Sequence, residues 1–314
     1  MSRTRWFTLL ALITASLTLG LIVFGAVVRV TDSGLGCKNT WPLCNGTIIP
    51  PLDNVTAWIE WLHRLFALLI GAFGMVTLGV AIAAYRRRNR PVITATAIAA
   101  VLFFVQSTLG AIVVVMDLPP TFVTLHLGTA MLLLAALLTA ALFSMHKPAR
   151  IYKPDRFTAL AYITAALSLV IILTGALVRG SGATLACTTW PLCNGSVLPV
   201  EQGQWALIHM FHRLAVGALG ITVVILVWLA FASRSERGVR QLAVLAGATY
   251  FAQAGVGAMF VLSSAAPAWG ALHVLFAALT WAALVTVCVV EAINTRQVQT
   301  QEATWQPQSS PALN

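Results

Sequence analysis

WPLCNG at 41–46, followed by Glu60-Trp-Leu-His63-Arg64, returns as WPLCNG at 190–195 followed by His209-Met-Phe-His212-Arg213. Outward from these stretches, Arg29 recurs as Arg179, Gln106 as Gln253 and His126 as His273. Partners lie 150 residues apart for the arginines, 149 for the loop motif and the first histidine, and 147 for the glutamine and second histidine. Landmarks kept in one order at nearly constant spacing mark an internal duplication. The chain is therefore one unit built twice.

Each unit belongs in a membrane. Of 314 residues, 59% are hydrophobic and only 9% charged, which excludes an ordinary soluble domain. Apolar stretches at roughly 6–30, 56–84, 91–115, 121–145, 157–178, 205–232, 240–262 and 268–291 are each long enough to cross a bilayer as a helix. The first is longer than a signal peptide's apolar region and has no small-x-small site before Arg29, so it is expected to stay in the chain. The expected fold is an all-α integral membrane protein, with eight transmembrane helices in two tandem four-helix bundles. The first repeat takes 1–146, a cytoplasmic linker 147–156, the second repeat 157–294, and a disordered tail 295–314. An even number of spans per repeat brings both copies in from the same side, which predicts a pseudo-twofold axis along the membrane normal.

Fourteen of the 19 Lys and Arg residues fall on one side of this scheme: Arg3, Arg5, Arg86, Arg87, Arg88, Arg90, Lys147, Arg150, Lys153, Arg156, Arg234, Arg237, Arg240 and Arg296. That side is expected to be cytoplasmic, with both termini on it and the cysteine loops outside the cell membrane. Topology then accounts for the net charge of +10 without a nucleic-acid partner. Lys38 and the duplicated Arg29, Arg64, Arg179 and Arg213 break the rule, lying on the outer side or in the outer parts of spans. Cations kept against the rule point to a bound anion there; snorkelling or carbonyl capping at a helix end is the competing reading.

Under this topology spans 2, 4, 6 and 8 run inward, and His63, His126, His212 and His273 each come five to seven residues after their span begins. At about 1.5 Å per residue all four sit roughly 8–10 Å deep. Two imidazoles at equal depth on neighbouring helices suit one planar metal centre, and bis-histidine ligation of heme iron recurs in four-helix bundles. Zinc fits less well, because it wants three or four protein ligands and no carboxylate pair accompanies these histidines. With heme in place, Arg29, Arg64, Arg179 and Arg213 become candidates to pair its propionates.

The repeats differ at one acidic position. Glu60 lies one helical turn before His63, and its counterpart is His209. As a functional group Glu60 is a base or a stabiliser of positive charge beside a reacting heme; as a structural one it is an interfacial partner of Arg64. Cys37 with Cys44, and Cys187 with Cys193, lie in loops on the oxidising side, where each pair suits a short disulfide loop. The first pair, nearer Glu60, is the one placed to cycle in redox terms, while the second reads as a structural staple. Cys288 reads as packing. Gln106 and Gln253 either line the heme pockets or bond between helices.

Together these residues resemble the heme A synthase family, membrane enzymes that convert heme O to heme A for terminal oxidases. The resemblance runs from Gly25-Ala-Val-Val-Arg29 to His273 and rests on Glu60-x-x-His63-Arg64, the three further histidines and the two WPLC loops. It implies oxidation of a heme methyl group to a formyl group by successive hydroxylations. His63 and His126 would bracket substrate heme O, and His212 and His273 would hold a heme b that takes electrons away. Glu60 matches the family's functionally important carboxylate, Cys37 with Cys44 its outer-loop pair, and His209 receives no role. Heme O synthase or oxidase assembly factors are implied as neighbours, alongside membrane lipid. The main rival is a diheme b-type electron carrier. It is disfavoured because all four histidines lie near one membrane face and Glu60 has no counterpart in the second repeat.

Overall fold

In the computed structural model the described residues are 3–86, 88–147 and 152–304, with side chains described through Thr295. Arg87 and Arg150, counted above among the basic residues, lie outside them, as do residues 305–314. Among the described residues there are eight long helices: α1 (Arg3–Val30), α2 (Val55–Tyr85), α3 (Arg90–Val115), α4 (Pro120–Met145), α5 (Arg156–Gly180), α6 (Gln204–Ser233), α7 (Arg237–Leu262) and α8 (Pro267–Thr304). All eight are long and apolar enough to span a bilayer, and the chain is a multi-pass membrane protein. α8 continues through Thr304, so helix stands where an irregular tail is expected from Thr295.

Local chemistry sets the helix starts. Asn54 and Asn89 accept hydrogen bonds from the Ala57 and Val92 amides at the N-termini of α2 and α3, and Asp155 with Thr158 forms a reciprocal cap on α5. α4 and α8 both open on proline, whose missing N–H costs nothing in the first turn.

Within the first half α1 packs on α2 and α4, and α3 on α2 and α4; within the second α5 packs on α6 and α8, and α7 on α6 and α8. Between halves α1 meets α8, while α4 meets α5 and α8. Small side chains let these helices approach: Ala11, Ala81, Ala140, Ala141, Ala161, Ala230, Ala243, Ala246 and Ala278 are all fully buried. Large apolar side chains such as Leu68, Ile163, Ile221 and Trp228 point outward, as lipid contact requires. Trp281 of α8 donates its indole N–H to the Met131 carbonyl of α4 at 2.8 Å, a polar tie inside the apolar seam between the halves.

At the ends of the helices far from the cysteine loops lies a buried ion cluster. Arg234 is 3% exposed and Glu291 fully buried. The Arg234 guanidinium donates to Glu291 Oε2 at 2.7 Å and to both Asp155 oxygens at 2.7 and 2.8 Å. It also lies over the rings of Tyr152 and Phe157. Burial opposes the Arg234 charge, but the bonds to Asp155 and Glu291 outweigh it and hold the guanidinium firmly protonated. The Tyr152 hydroxyl donates to Glu291 Oε1 at 2.7 Å, and burial keeps that phenol above its ordinary pKa. The cluster ties the start of α5, the end of α6 and α8 together.

Candidate functional site

The four histidines come six to eight residues after the first residue of α2, α4, α6 and α8, about 9–12 Å along each axis at ~1.5 Å per residue. Each packs its ring edge on a glycine of the neighbouring helix. A β-carbon added to Gly25 would stand 3.2 Å from His63 Cε1, on Gly110 3.2 Å from His126 Cε1, on Gly175 3.1 Å from His212 Cε1, and on Gly257 2.9 Å from His273 Cε1. All four glycines recur at the repeat spacing, Gly25 with Gly175 and Gly110 with Gly257. A side chain at any of them would push its imidazole aside.

Around these rings the repeats differ. His212 Nδ1 is bonded to the Thr174 hydroxyl at 2.9 Å, whereas His63 Nδ1 is buried with no hydrogen-bond partner and its ring meets Phe24 edge-on at 5.7 Å. The Gln106 amide lies 3.1 Å from His126 Nε2, and its carbonyl oxygen accepts from Thr129. Gln253 sits 3.1 Å from both ring nitrogens of His273, but its own carbonyl oxygen is buried and unbonded. Phe260 stacks on His273. Both glutamines touch histidines, so they line the sites.

The cysteine loops fold back over the same ends of the bundles. In each WPLCNG motif the Asn-Gly step takes two left-handed residues, φ 54° and 82° at Asn45 and Gly46, φ 48° and 90° at Asn194 and Gly195. This is the two-residue turn such a step favours, and it closes Cys44 onto Thr47 and Cys193 onto Ser196. Both disulfides are formed, Cys37–Cys44 and Cys187–Cys193, and Cys288 is a buried free thiol. The arginine after each first histidine staples its loop down: Arg64 donates to the Thr40 and Leu43 carbonyls at 2.9 and 3.1 Å, Arg213 to those of Thr189 and Leu192 at 2.7 and 3.1 Å. In the structure Arg64 and Arg213 thus hold loop carbonyls, while also meeting Glu60 and His209. Arg29 and Arg179 keep a buried Nε without a partner, as Arg64 does, and Arg179 approaches Asp32 at 3.5 Å.

Glu60 is 3% exposed; it pairs with Arg64 and accepts the Cys37 amide N–H at 2.8 Å. Its carboxylate is thus shared between the helix that carries His63 and the disulfide loop. His209, in the matching place, is equally buried and meets Arg213 at 3.3 Å. Among the described residues no group of three or more His, Cys, Asp and Glu converges as a metal cage. The donor set offers imidazoles in pairs only, which suits a centre whose other ligands come from a macrocycle.

A family model described as cytochrome oxidase assembly protein matches residues 8–285. The chain belongs to the COX15-CtaA family. Its relatives include proteins named heme A synthase from Shouchella clausii, 33% identical over 91% of this chain and 96% of the relative, and from Bacillus mycoides, 31% identical over 93% and 94%. A third, from Halalkalibacterium halodurans, is 38% identical over 65% of this chain and 70% of the relative. The family match encloses all four histidines, Glu60 and both disulfides. The site residues that sequence reading passed over are the four glycines, Thr174, Phe24 and Thr129. Only the glycines carried a signal, their recurrence at the repeat spacing.

Proposed function

We propose that this chain is a heme A synthase, an enzyme that takes heme O as substrate and oxidises one of its methyl groups to a formyl group. Two successive hydroxylations put two oxygens on the same carbon, and loss of water leaves the aldehyde. The observation that carries this reading is the duplicated, glycine-backed histidine pair with a carboxylate, Glu60, in the first repeat only. His63 and His126 would bracket heme O, and His212 and His273 would hold a resident heme b.

The residues fit that cofactor. Thr174 takes the N–H of His212 and so leaves Nε2 with a free lone pair, the state a metal ligand needs. When bound, the heme b supplies an electron acceptor beside the substrate site. Glu60, fixed by Arg64 and the Cys37 amide one turn from His63, is placed to accept a proton or to stabilise positive charge. Arg29, Arg64 and Arg179, each with an unpaired buried Nε, and Arg213 beside them are the candidates to meet propionates.

The basic residues support a topology with both termini cytoplasmic and the cysteine loops outside. The contacts between halves support a pseudo-twofold relation, since exchanging repeats turns α1–α8 into α5–α4 and returns α4–α8 to itself. The test is to purify the chain from a host that supplies heme O, then extract and separate its hemes. Heme B together with heme O, heme A or a hydroxylated intermediate is expected; heme B alone at two per chain would make it an electron carrier instead.

A further inference from the structure

Gln106 and Gly110 lie one turn apart on α3 and both face the His126 ring; Gln253 and Gly257 do the same on α7 toward His273. The two glutamines are held differently. In the first repeat the Thr129 hydroxyl donates to Gln106 Oε1, which can only accept, and this turns the amide nitrogen toward His126 Nε2 at 3.1 Å. An amide nitrogen only donates, so Nε2 presents its lone pair and the ring proton sits on Nδ1. A histidine that binds iron through Nε2 does so in that tautomer and with that lone pair. Gln106 and a metal centre therefore compete for one atom of His126.

The second repeat lacks the anchor. At the 147-residue spacing Thr129 becomes Phe276 and Val113 becomes Phe260. Phe276 has no hydroxyl to give Gln253, whose Oε1 is buried and unbonded. The Gln253 amide stands 3.1 Å from both ring nitrogens of His273. Their lone pairs diverge, so a single nitrogen cannot lie along both. Phe260 stacks on that ring at 6.3 Å, with 22° between the planes. His273 is thus held by its face, and His126 by its Nε2. His63 meets Phe24 edge-on, and Glu60, one turn away, is already engaged with Arg64 and the Cys37 amide.

We infer that Gln106, fixed by Thr129, is a positioning residue that draws His126 off the iron of the bound substrate, and that His126 rather than His63 is the ligand that opens the first-repeat site. The inference rests on the proposed heme O site at His63 and His126. An iron held by a macrocycle and two imidazoles has every position filled, so another ligand reaches it only when one imidazole leaves. Inside an apolar bundle a departing imidazole needs a partner for Nε2, because a buried lone pair left unmet is costly. Both imidazoles bind and release substrate between turnovers, but within the bound complex it is His126 that has a donor waiting. In the second repeat the unanchored Gln253 and the stacked Phe260 leave His273 in place, as a resident centre requires.

The test uses the full chain purified from cells that supply heme O, reduced with dithionite and titrated with carbon monoxide, which binds only iron with an open position. Heme B and tailed heme per chain are measured on the same samples. Gln106→Leu keeps most of the side chain's bulk and removes its N–H. Carbon monoxide affinity per tailed heme should then fall about fivefold, the weight of one hydrogen bond of ~1 kcal/mol, while heme B stays at the wild-type level and certifies the fold. Thr129→Val should act in the same direction by a smaller factor, and Gln253→Leu should leave the affinity unchanged. In a His126→Ala background Gln106→Leu should change nothing, because the glutamine acts through that ring; a residue that only packs would keep its effect.

Unchanged or raised carbon monoxide affinity in Gln106→Leu would overturn the assignment, and the raised value is the result expected if the amide steadies His126 on the iron instead. If Gln106→Leu loses its tailed heme, Thr129→Val, which retains the glutamine, decides, and wild-type affinity there overturns it. Failure of the underlying site looks different: His126→Ala alone would then leave both tailed-heme content and carbon monoxide affinity at their wild-type values.

Discussion

The Thr174 hydroxyl lies 2.9 Å from His212 Nδ1, and because it already donates to the Ile171 carbonyl at 2.8 Å it accepts the ring N–H. The repeat counterpart of Thr174 is Phe24, which offers His63 only an aromatic edge. A ligand histidine whose second nitrogen is bonded is held in one tautomer and one orientation and is the more basic ligand. On the proposed assignment, His212 is the more firmly held ligand of a resident centre and His63 the freer ligand of an exchanging one. Thr174→Val should weaken retention of the resident heme by about 10–100-fold and raise its reduction potential. Heme B per chain and a redox titration read the two effects; an unchanged potential would remove the hydroxyl from any role in ligation.

Glu60 and Arg64 can be separated by two substitutions. Glu60→Gln keeps the side chain's size and its hydrogen-bonding oxygen for the Cys37 amide but removes the charge, so both hemes should still bind while formyl formation falls by about a hundredfold or more. Heme O should then accumulate in the extract. Arg64→Ala removes the staple on Thr40 and Leu43 and leaves Glu60 buried without its cation, a loss of about 3–5 kcal/mol. That second variant should unfold at lower temperature in detergent, with activity lost alongside the fold. Full turnover in Glu60→Gln would make the carboxylate structural only.

The glycines behind the histidines predict a selective defect. Gly175→Val places branched carbon against an imidazole edge that already stands 3.1 Å from an ideal β-carbon. Displacing the ring costs about 1–3 kcal/mol, which corresponds to about a 5–150-fold loss of affinity for a centre held there. Heme B content should drop while helical circular dichroism is kept. Gly25→Val should spare heme B and lower heme O, because the repeats bind separately.

The spans, the four histidines, the cysteine pairing and the arginine register were legible because each depends on local pattern or on the duplication itself. The sequence weighed carbonyl capping for Arg64 and Arg213, and the loop carbonyls of Thr40 and Thr189 realise it. What stayed illegible depends on contacts between helices distant in sequence. Thr174 and Phe24 are ordinary span residues until α5 and α1 are placed beside α6 and α2. Glu291 sits in the apolar run Val287-Cys-Val-Val-Glu291, where the chain shows a costly charge but not its partner, 57 residues earlier on another helix. The repeat spacing could have exposed the four glycines, because that is a comparison of one half with the other.

The ion cluster at the far end supplies a prediction about acid rather than about heme. The bonds from Arg234 hold the Asp155 carboxyl at a pKa of about 2, below its usual value near 3.9. A carboxyl with a depressed folded-state pKa contributes stability that is fully present above the unfolded value and is lost as pH falls through the folded one. That window runs from about pH 4 down to about 2, so the contribution is complete at neutral pH. Asp155 is 41% exposed, so water screens the interaction and its worth is about 1 kcal/mol or less. Asp155→Asn should therefore cost little at pH 7 and flatten the loss of stability between about pH 4 and 2. Glu291→Ala is the harsher change. It leaves Arg234, 3% exposed, with only Asp155 for compensation, and should cost about 3–5 kcal/mol. Denaturation of both variants in detergent across pH measures this. Because Arg234 ends the same helix whose opposite end carries His212, neither change should alter which hemes the folded chain retains.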